Sequence, residues 1–237
     1  MFVVGNHDVG FHNDVTENKL QRFFKEFSSK NVKAISVKGR MFVAINSMGL
    51  AGDGCTMCED TKRELLQVKE YMDCRGIDKP EYCGSSVSRP QPILLTHFPL
   101  FRESDEKCLE FDAKDISHKY VEQETLTESA SSELIKLLHP RLVLSGHTHN
   151  TCVYRHGDGT TEITVASFSW RNRIDPSFYL LTVSDETYEA VKCNLPLEST
   201  VFIIYALAAC FGVVFIILNT LVRHIMWKGI KYRRKEL

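Results

Sequence analysis

Leu142-Val143-Leu144-Ser145-Gly146-His147-Thr148-His149 decides the architecture. A short aliphatic run without alternation is what a strand buried on both faces looks like. It ends at a serine and a glycine, and two histidines follow where the chain must turn. The same arrangement occurs earlier, where the apolar Ile93-Leu94-Leu95-Thr96 ends at His97. A third polar cluster, Gly5-Asn6-His7-Asp8, is read as a loop after Phe2-Val3-Val4, itself the end of a short buried strand. Histidine-bearing loops at the C-terminal ends of apolar strands predict an α/β sheet with a ligand site beyond its carboxyl edge.

The intervening chain fits this layout. Glu17 to Phe27 puts Leu20, Phe23, Phe24 and Phe27 on one helical face. Val32–Val37 and Met41–Asn46 read as strands around Lys38-Gly39-Arg40, residues 51–60 as a loop, and Thr61–Asp73 as a helix. Residues 101–128 are polar and irregular, a long loop of the kind that often carries specificity. Ser131–Leu138 reads as a helix capped by Ser131 or Ser132. Cys152–Arg155, Glu162–Ala166, Phe178–Val183 and Glu189–Cys193 read as further strands. Helices between buried strands, then a meander, predict an α/β layered sheet or sandwich.

Taken singly, the three polar fragments have ordinary explanations: a polar turn, a structural histidine, two neighbours on a loop. Together, each at a strand end, they point to metal-assisted hydrolysis. A phosphoester is anionic, so attack on it needs positive charge. Two cations about 3.5–4 Å apart supply that and acidify a water. Neutral imidazole suits manganese, iron or zinc, and an amide oxygen adds a ligand without charge. A histidine that is not a ligand can protonate the leaving oxygen, oriented by a carboxylate.

G-N-H-D, then a histidine after a strand, then G-H-x-H resembles the second half of the calcineurin-like metallophosphoesterase signature, matched from Gly5 to about Ser184. The resemblance implies a calcineurin-like layered β-sandwich with flanking helices. It implies Asn6, His97 and His147 as ligands of a second metal and His149 as a ligand of the first. His7 is then the acid that assists the leaving group, with Asp8 as its partner. The cofactors are two divalent metal ions, manganese being expected. The first half of the signature, D-x-H and G-D-x-x-D, is not found in these residues. The domain is therefore expected to be incomplete at its N-terminus and inactive as given.

Val201 to Val222 carries no charge, and at about 1.5 Å per residue it reaches across a hydrocarbon core of roughly 30 Å. The expected organisation is a catalytic domain at 1–198, a transmembrane helix at 199–222 and a basic cytosolic tail at 223–237. The formal net charge of −1 divides into +5 after Val222 and −6 before the span. The net charge suggests no nucleic-acid partner, a mildly acidic domain is joined to a short basic tail, and the basic tail puts the C-terminus in the cytosol. The domain is then lumenal, although the chain opens without a signal peptide; a targeting segment lying upstream is the expected explanation. Cysteines suggest the same compartment: seven of the eight precede the span, and four fall within Cys55–Cys83. Cys55-x-x-Cys58 stays open between a disulfide, a redox pair and half a zinc knuckle. Seven is odd, so one thiol is left over or pairs outside the chain.

Ser167 to Phe178, Leu95 to Leu100, the span and the short tail narrow the resemblance to membrane-anchored members of the family that remove ethanolamine-phosphate from the glycan of GPI anchors. That implies GPI-anchored proteins as substrates, and a place in the endoplasmic reticulum, the ER–Golgi intermediate compartment or the Golgi. Arg171 and Arg173 are open between holding substrate phosphate and pairing with acidic neighbours. Arg233-Arg234-Lys235-Glu236-Leu237 is open between a dibasic retrieval signal, with contacts to a cargo receptor or coat, and a stop-transfer cluster. Two other function classes stay open: the same hydrolysis on a nucleotide, pyrophosphate or phosphoprotein, and a non-catalytic membrane-anchored fragment.

Overall fold

The computed structural model describes residues 1–74, 83, 91–185 and 187–233, the last five by backbone alone. Strands β1 (Val32–Val37) and β2 (Arg40–Ile45) form a hairpin. Lys38 and Gly39 join them at φ 50° and 76°, the paired left-handed residues of a tight hairpin turn. With β3 (Ile93–Thr96), β4 (Leu142–Ser145), β5 (Cys152–Arg155) and β6 (Thr161–Thr164) they make one sheet in the order β1-β2-β3-β4-β6-β5. β2, β3, β4 and β6 are parallel, and β1 and β5 are antiparallel at the edges. The residues that follow β2, β3 and β4 therefore all leave the sheet at one edge, as expected from the apolar runs.

Both faces of this sheet are covered, which is why β3 and β4 are uniformly apolar. Val43, Leu94 and Val143 face a core filled by Leu20 and Phe23 of α2 (Glu17–Phe27), Leu65 and Met72 of α3 (Thr56–Met72), and Leu134 and Leu138 of α4 (Glu128–Leu138). Ile93, Leu142 and Ile163 face a second, two-stranded sheet, β7 (Ser177–Val183) and β8 (Tyr188–Asn194), through Tyr179, Leu181 and Tyr188. The result is a mixed α/β layering of helices, sheet and small sheet.

Several boundaries differ from expectation for local reasons. Val4 is buried, but Phe2-Val3-Val4 pairs with no described strand. Gly5-Asn6-His7-Asp8 is not a loop: Asn6–Val9 is one helical turn, α1. α3 starts at Thr56, not Thr61, because Cys55 caps it. α4 starts at Glu128, capped by the Thr127 hydroxyl rather than by Ser131 or Ser132. A cap is a single polar contact and leaves no trace in apolar periodicity.

Cys55–Cys58, Cys74–Cys83 and Cys108–Cys152 are disulfides, which settles the CxxC motif in this structure as a bridge. Cys193 is the thiol left over before the span, and Cys210 is also free. Cys108–Cys152 spans 44 positions, and the loop-entropy model assigns such a closure about 4 kcal/mol.

These elements, Met1–Phe168 with Ser177–Cys193, form one compact unit; Ser169–Pro176 with Asn194–Leu237 form another. Within the second unit, the Trp170 indole donates to the Pro196 carbonyl at 3.0 Å and Leu195 N donates to the Pro176 carbonyl at 2.8 Å. Arg173 forks onto Asp175 through Nε and Nη2 at 2.8 and 3.0 Å, the acidic-neighbour reading of that residue. The long helix α5 (Glu198–Arg233) is apolar and long enough over Glu198–Lys228 to cross a membrane. Its polar Asn219 and Thr220 side chains donate to the carbonyls of Phe215 and Ile216, so the helix meets their hydrogen-bonding needs itself. Arg234 to Leu237, most of the basic stretch left open between a retrieval signal and a stop-transfer cluster, lie outside the described residues.

Candidate metal centre

The site is assembled from α1, the residue after β3, and the turn after β4. In α1, Gly5 N donates to Asp8 Oδ2 at 2.8 Å and Gly10 N donates to the Asn6 carbonyl at 2.7 Å. These bonds close the turn, leaving Asn6 buried and His7 exposed. Asn6 Oδ1 lies 2.7 Å from His97 Nε2. Gly146 N donates to the His97 carbonyl at 3.0 Å, which ties the end of β3 to the turn after β4.

Gly5 is needed for close approach, not for backbone freedom, since its φ is −115°. A Cβ built there would lie 2.9 Å from His97 Cε1, closer than carbon atoms pack. Gly5→Ala is therefore expected to displace the His97 ring. Manganese affinity, read by calorimetric titration, should fall about tenfold, with a stability loss of roughly 1–3 kcal/mol from overpacking. An alanine variant with unchanged metal affinity would show that the ring's position does not matter.

His147 Nδ1 lies 3.2 Å from His97 Nε2, and its Nε2 lies 3.0 Å from the Gln123 carbonyl. A carbonyl can only accept, so His147 Nε2 carries the proton and its Nδ1 keeps a lone pair toward His97 Nε2, whose other partner, Asn6 Oδ1, also only accepts. An outer carbonyl that fixes the tautomer in this way is usual behind a metal-bound histidine. His147 and His149 both have left-handed backbones, at φ 67° and 63°, costly for residues other than glycine. The long loop holds this turn in place. Besides Gln123, Asn150 Nδ2 donates to the Asp112 carbonyl at 2.9 Å and Thr151 Oγ1 donates to Asp112 Oδ2 at 2.9 Å. The Cys108–Cys152 disulfide closes the grip.

Burial pushes the His97 imidazole down to about 3, helped by the charges of His147, His7 and His149. Burial likewise lowers His147 to about 4, against an upward pull from the Gln123 carbonyl. Both rings are neutral near pH 7, the state a cation requires. The charges of His7 and His149 are felt at both rings and lower both. Asp8 closes the α1 turn by accepting from the Gly5 backbone N–H.

The donor set fits one ion. Ligands about 2.1 Å from a metal and at right angles lie roughly 3 Å apart, and here Asn6 Oδ1, His97 Nε2 and His147 Nδ1 are separated by 2.7 and 3.2 Å. All three are neutral donors of the kind that hold manganese, iron or zinc. Sequence reasoning named these three, and the structure brings them together; it did not name the Gln123 carbonyl, a backbone group that no side-chain pattern advertises.

No protein-family profile matches the chain. Among curated proteins, it is 40% identical over 225 residues to "Metallophosphoesterase 1" of Gallus gallus, covering 91% of the chain and 56% of that protein. To the protein of the same name in Pongo abelii it is 42% identical over 231 residues, 92% of the chain and 56% of the relative. To that of Danio rerio it is 37% identical over 235 residues, 96% of the chain and 61% of the relative. The chain thus spans about half the length of the curated relatives it matches.

Proposed function

Because the chain belongs to the metallophosphoesterase family, we propose that it carries the second-metal half of the active site of a membrane-anchored phosphodiesterase, one that removes ethanolamine-phosphate from the glycan of GPI anchors. The observation that supports this best is the convergence of Asn6 Oδ1, His97 Nε2 and His147 Nδ1. These three residues would hold one divalent cation, and His149 would serve a second. When bound, such ions, manganese by expectation, offset the phosphate's charge and make the attacking water acidic near neutral pH. His7, exposed beside the cluster, would donate a proton to the departing oxygen. Asp8 would fix the turn that aims His7.

A lipid-linked substrate suits a chain with a helix able to span a bilayer. The reading places the protein in the early secretory pathway with its domain lumenal and its tail cytosolic. There it would act on GPI-anchored proteins and support their passage from endoplasmic reticulum to Golgi, with receptor or coat contacts through the tail.

The test uses detergent-purified chain beside a version extended upstream through D-x-H and G-D-x-x-D, both loaded with manganese. The extended protein is expected to release ethanolamine-phosphate from a GPI glycan, while residues 1–237 bind metal and turn over at background. Hydrolysis of nucleotides, pyrophosphate or phosphoproteins with none on the GPI substrate would replace the substrate assignment. Full activity of the shorter chain would overturn the ligand assignment itself.

A further inference from the structure

A second cluster of ligand-type groups lies where α3 begins. Cys55 caps the helix, Cys58 lies one turn in, and the Cys58 N–H donates to Cys55 Sγ at 2.9 Å. Asp53 Oδ1 is 3.2 Å from Cys58 Sγ, and Asp53 Oδ2 is 2.9 Å from His12 Nε2. One donor atom from each of His12, Asp53, Cys55 and Cys58 falls within 4.8 Å of every other. Four donors around a zinc ion have this spacing, and two thiolates with an imidazole and a carboxylate match its chemistry.

The histidine is oriented for the task. His12 Nδ1 lies 2.8 Å from the Met48 carbonyl, so Nδ1 carries a proton. In the neutral ring Nε2 is then an acceptor facing another acceptor, Asp53 Oδ2. Something positive must lie between them, a proton or a metal ion. A ligand histidine backed by a backbone carbonyl is the usual arrangement at zinc.

We propose that the dithiol form of Cys55 and Cys58, together with His12 and Asp53, binds one zinc ion. The Cys55–Cys58 disulfide, seen here, is the alternative state of the same site. It joins positions only 3 apart, against 44 for Cys108–Cys152, so it restrains the unfolded chain least. Opening it takes two electrons from a thiol or phosphine reductant, which is itself oxidised to a disulfide or phosphine oxide, and two protons, from the thiol or, with a phosphine, from water. Zinc then displaces the two thiol protons. The ion would pin the turn after α1 to the start of α3.

Cobalt tests this, because thiolate ligation gives a near-ultraviolet charge-transfer band that the Asn6–His97–His147 site, without sulfur, cannot produce. The detergent-solubilised full chain is titrated with cobalt, oxidised and after mild reduction. One equivalent should produce the band only in the reduced protein, and zinc should bleach it. His97→Ala should leave the band intact. His12→Gln and Asp53→Asn, both at solvent-accessible positions, should weaken cobalt binding at least tenfold without unfolding the chain. A reduced chain with no band overturns the proposal. So does a band that survives in the Cys55→Ser/Cys58→Ser double variant, because other cysteines would then be its source.

Discussion

Replacing His97 by alanine is expected to abolish tight binding at the Asn6–His97–His147 site while leaving the fold in place. The ring stands between the other two donors, 2.7 Å from Asn6 Oδ1 and 3.2 Å from His147 Nδ1, so its loss removes the middle one of the three proposed ligands. Changing a group that merely supports a metal ligand costs about 10–100-fold in affinity. Losing the ligand itself should exceed that, by at least about 2.8 kcal/mol at tenfold per 1.4 kcal/mol. Calorimetry with manganese reads the loss, and circular dichroism checks that the layers persist. His7→Gln is the informative contrast. Metal content should be unchanged, and in an upstream-extended, active protein the rate should fall by roughly 10²–10⁴, the usual weight of a general acid. Wild-type affinity in His97→Ala would remove this histidine from the ligand set. A loss of metal in His7→Gln would make it a ligand rather than an acid.

What the sequence disclosed about this site follows from what side chains can signal. β3 and β4 are legible because both faces of the sheet are covered, so each reads as an unbroken apolar run that stops at its histidine. The amphipathic α2 lies at Glu17–Phe27, where its periodicity puts it. The one-turn α1 is not legible in this way, because it is held by a carboxylate on its own backbone and has no apolar stripe. Residues 101–128 read as polar and irregular, and much of that stretch is indeed without regular structure. Its polar residues nevertheless include the fully buried Arg102 and Asp105. Glu162 misleads similarly: a carboxylate in a strand suggests a solvent-facing position, yet it is fully buried. Buried charges are recognisable only with their partners, and these partners are up to 62 positions apart.

That buried cluster should give the largest stability effect. Arg102 Nε donates to Asp105 Oδ1 at 2.8 Å, Nη1 donates to Thr164 Oγ1 at 3.1 Å, and Nη1 lies 3.7 Å from Glu162 Oε2. Tyr120 donates to Asp105 Oδ1 at 2.8 Å, and burial raises its phenol pKa. Glu162 Oε1 accepts from Ser145 Oγ at 2.5 Å and from Leu100 N at 3.1 Å, while its Oε2 faces His156 Nε2 at 2.9 Å. One guanidinium thus joins the long loop to β6, whose Glu162 reaches β4 through Ser145, and offsets two buried carboxylates. Arg102→Ala leaves those carboxylates without it, a change that costs about 3–5 kcal/mol, a large fraction of a stability of roughly 5–15 kcal/mol. Arg102→Lys keeps the charge but loses the fork and should recover only part of the loss. Urea denaturation followed by circular dichroism reads both. The effect should reach the metal site through one bond. The loop that Arg102 anchors also presents the Gln123 carbonyl to His147 Nε2, and without it the His147 proton is free to move to Nδ1, the atom proposed to bind the ion. In Arg102→Lys, if folded, manganese affinity should therefore fall even though no ligand has changed. Unchanged affinity in that variant would mean the turn carrying His147 is held by Asp112 and the Cys108–Cys152 disulfide alone.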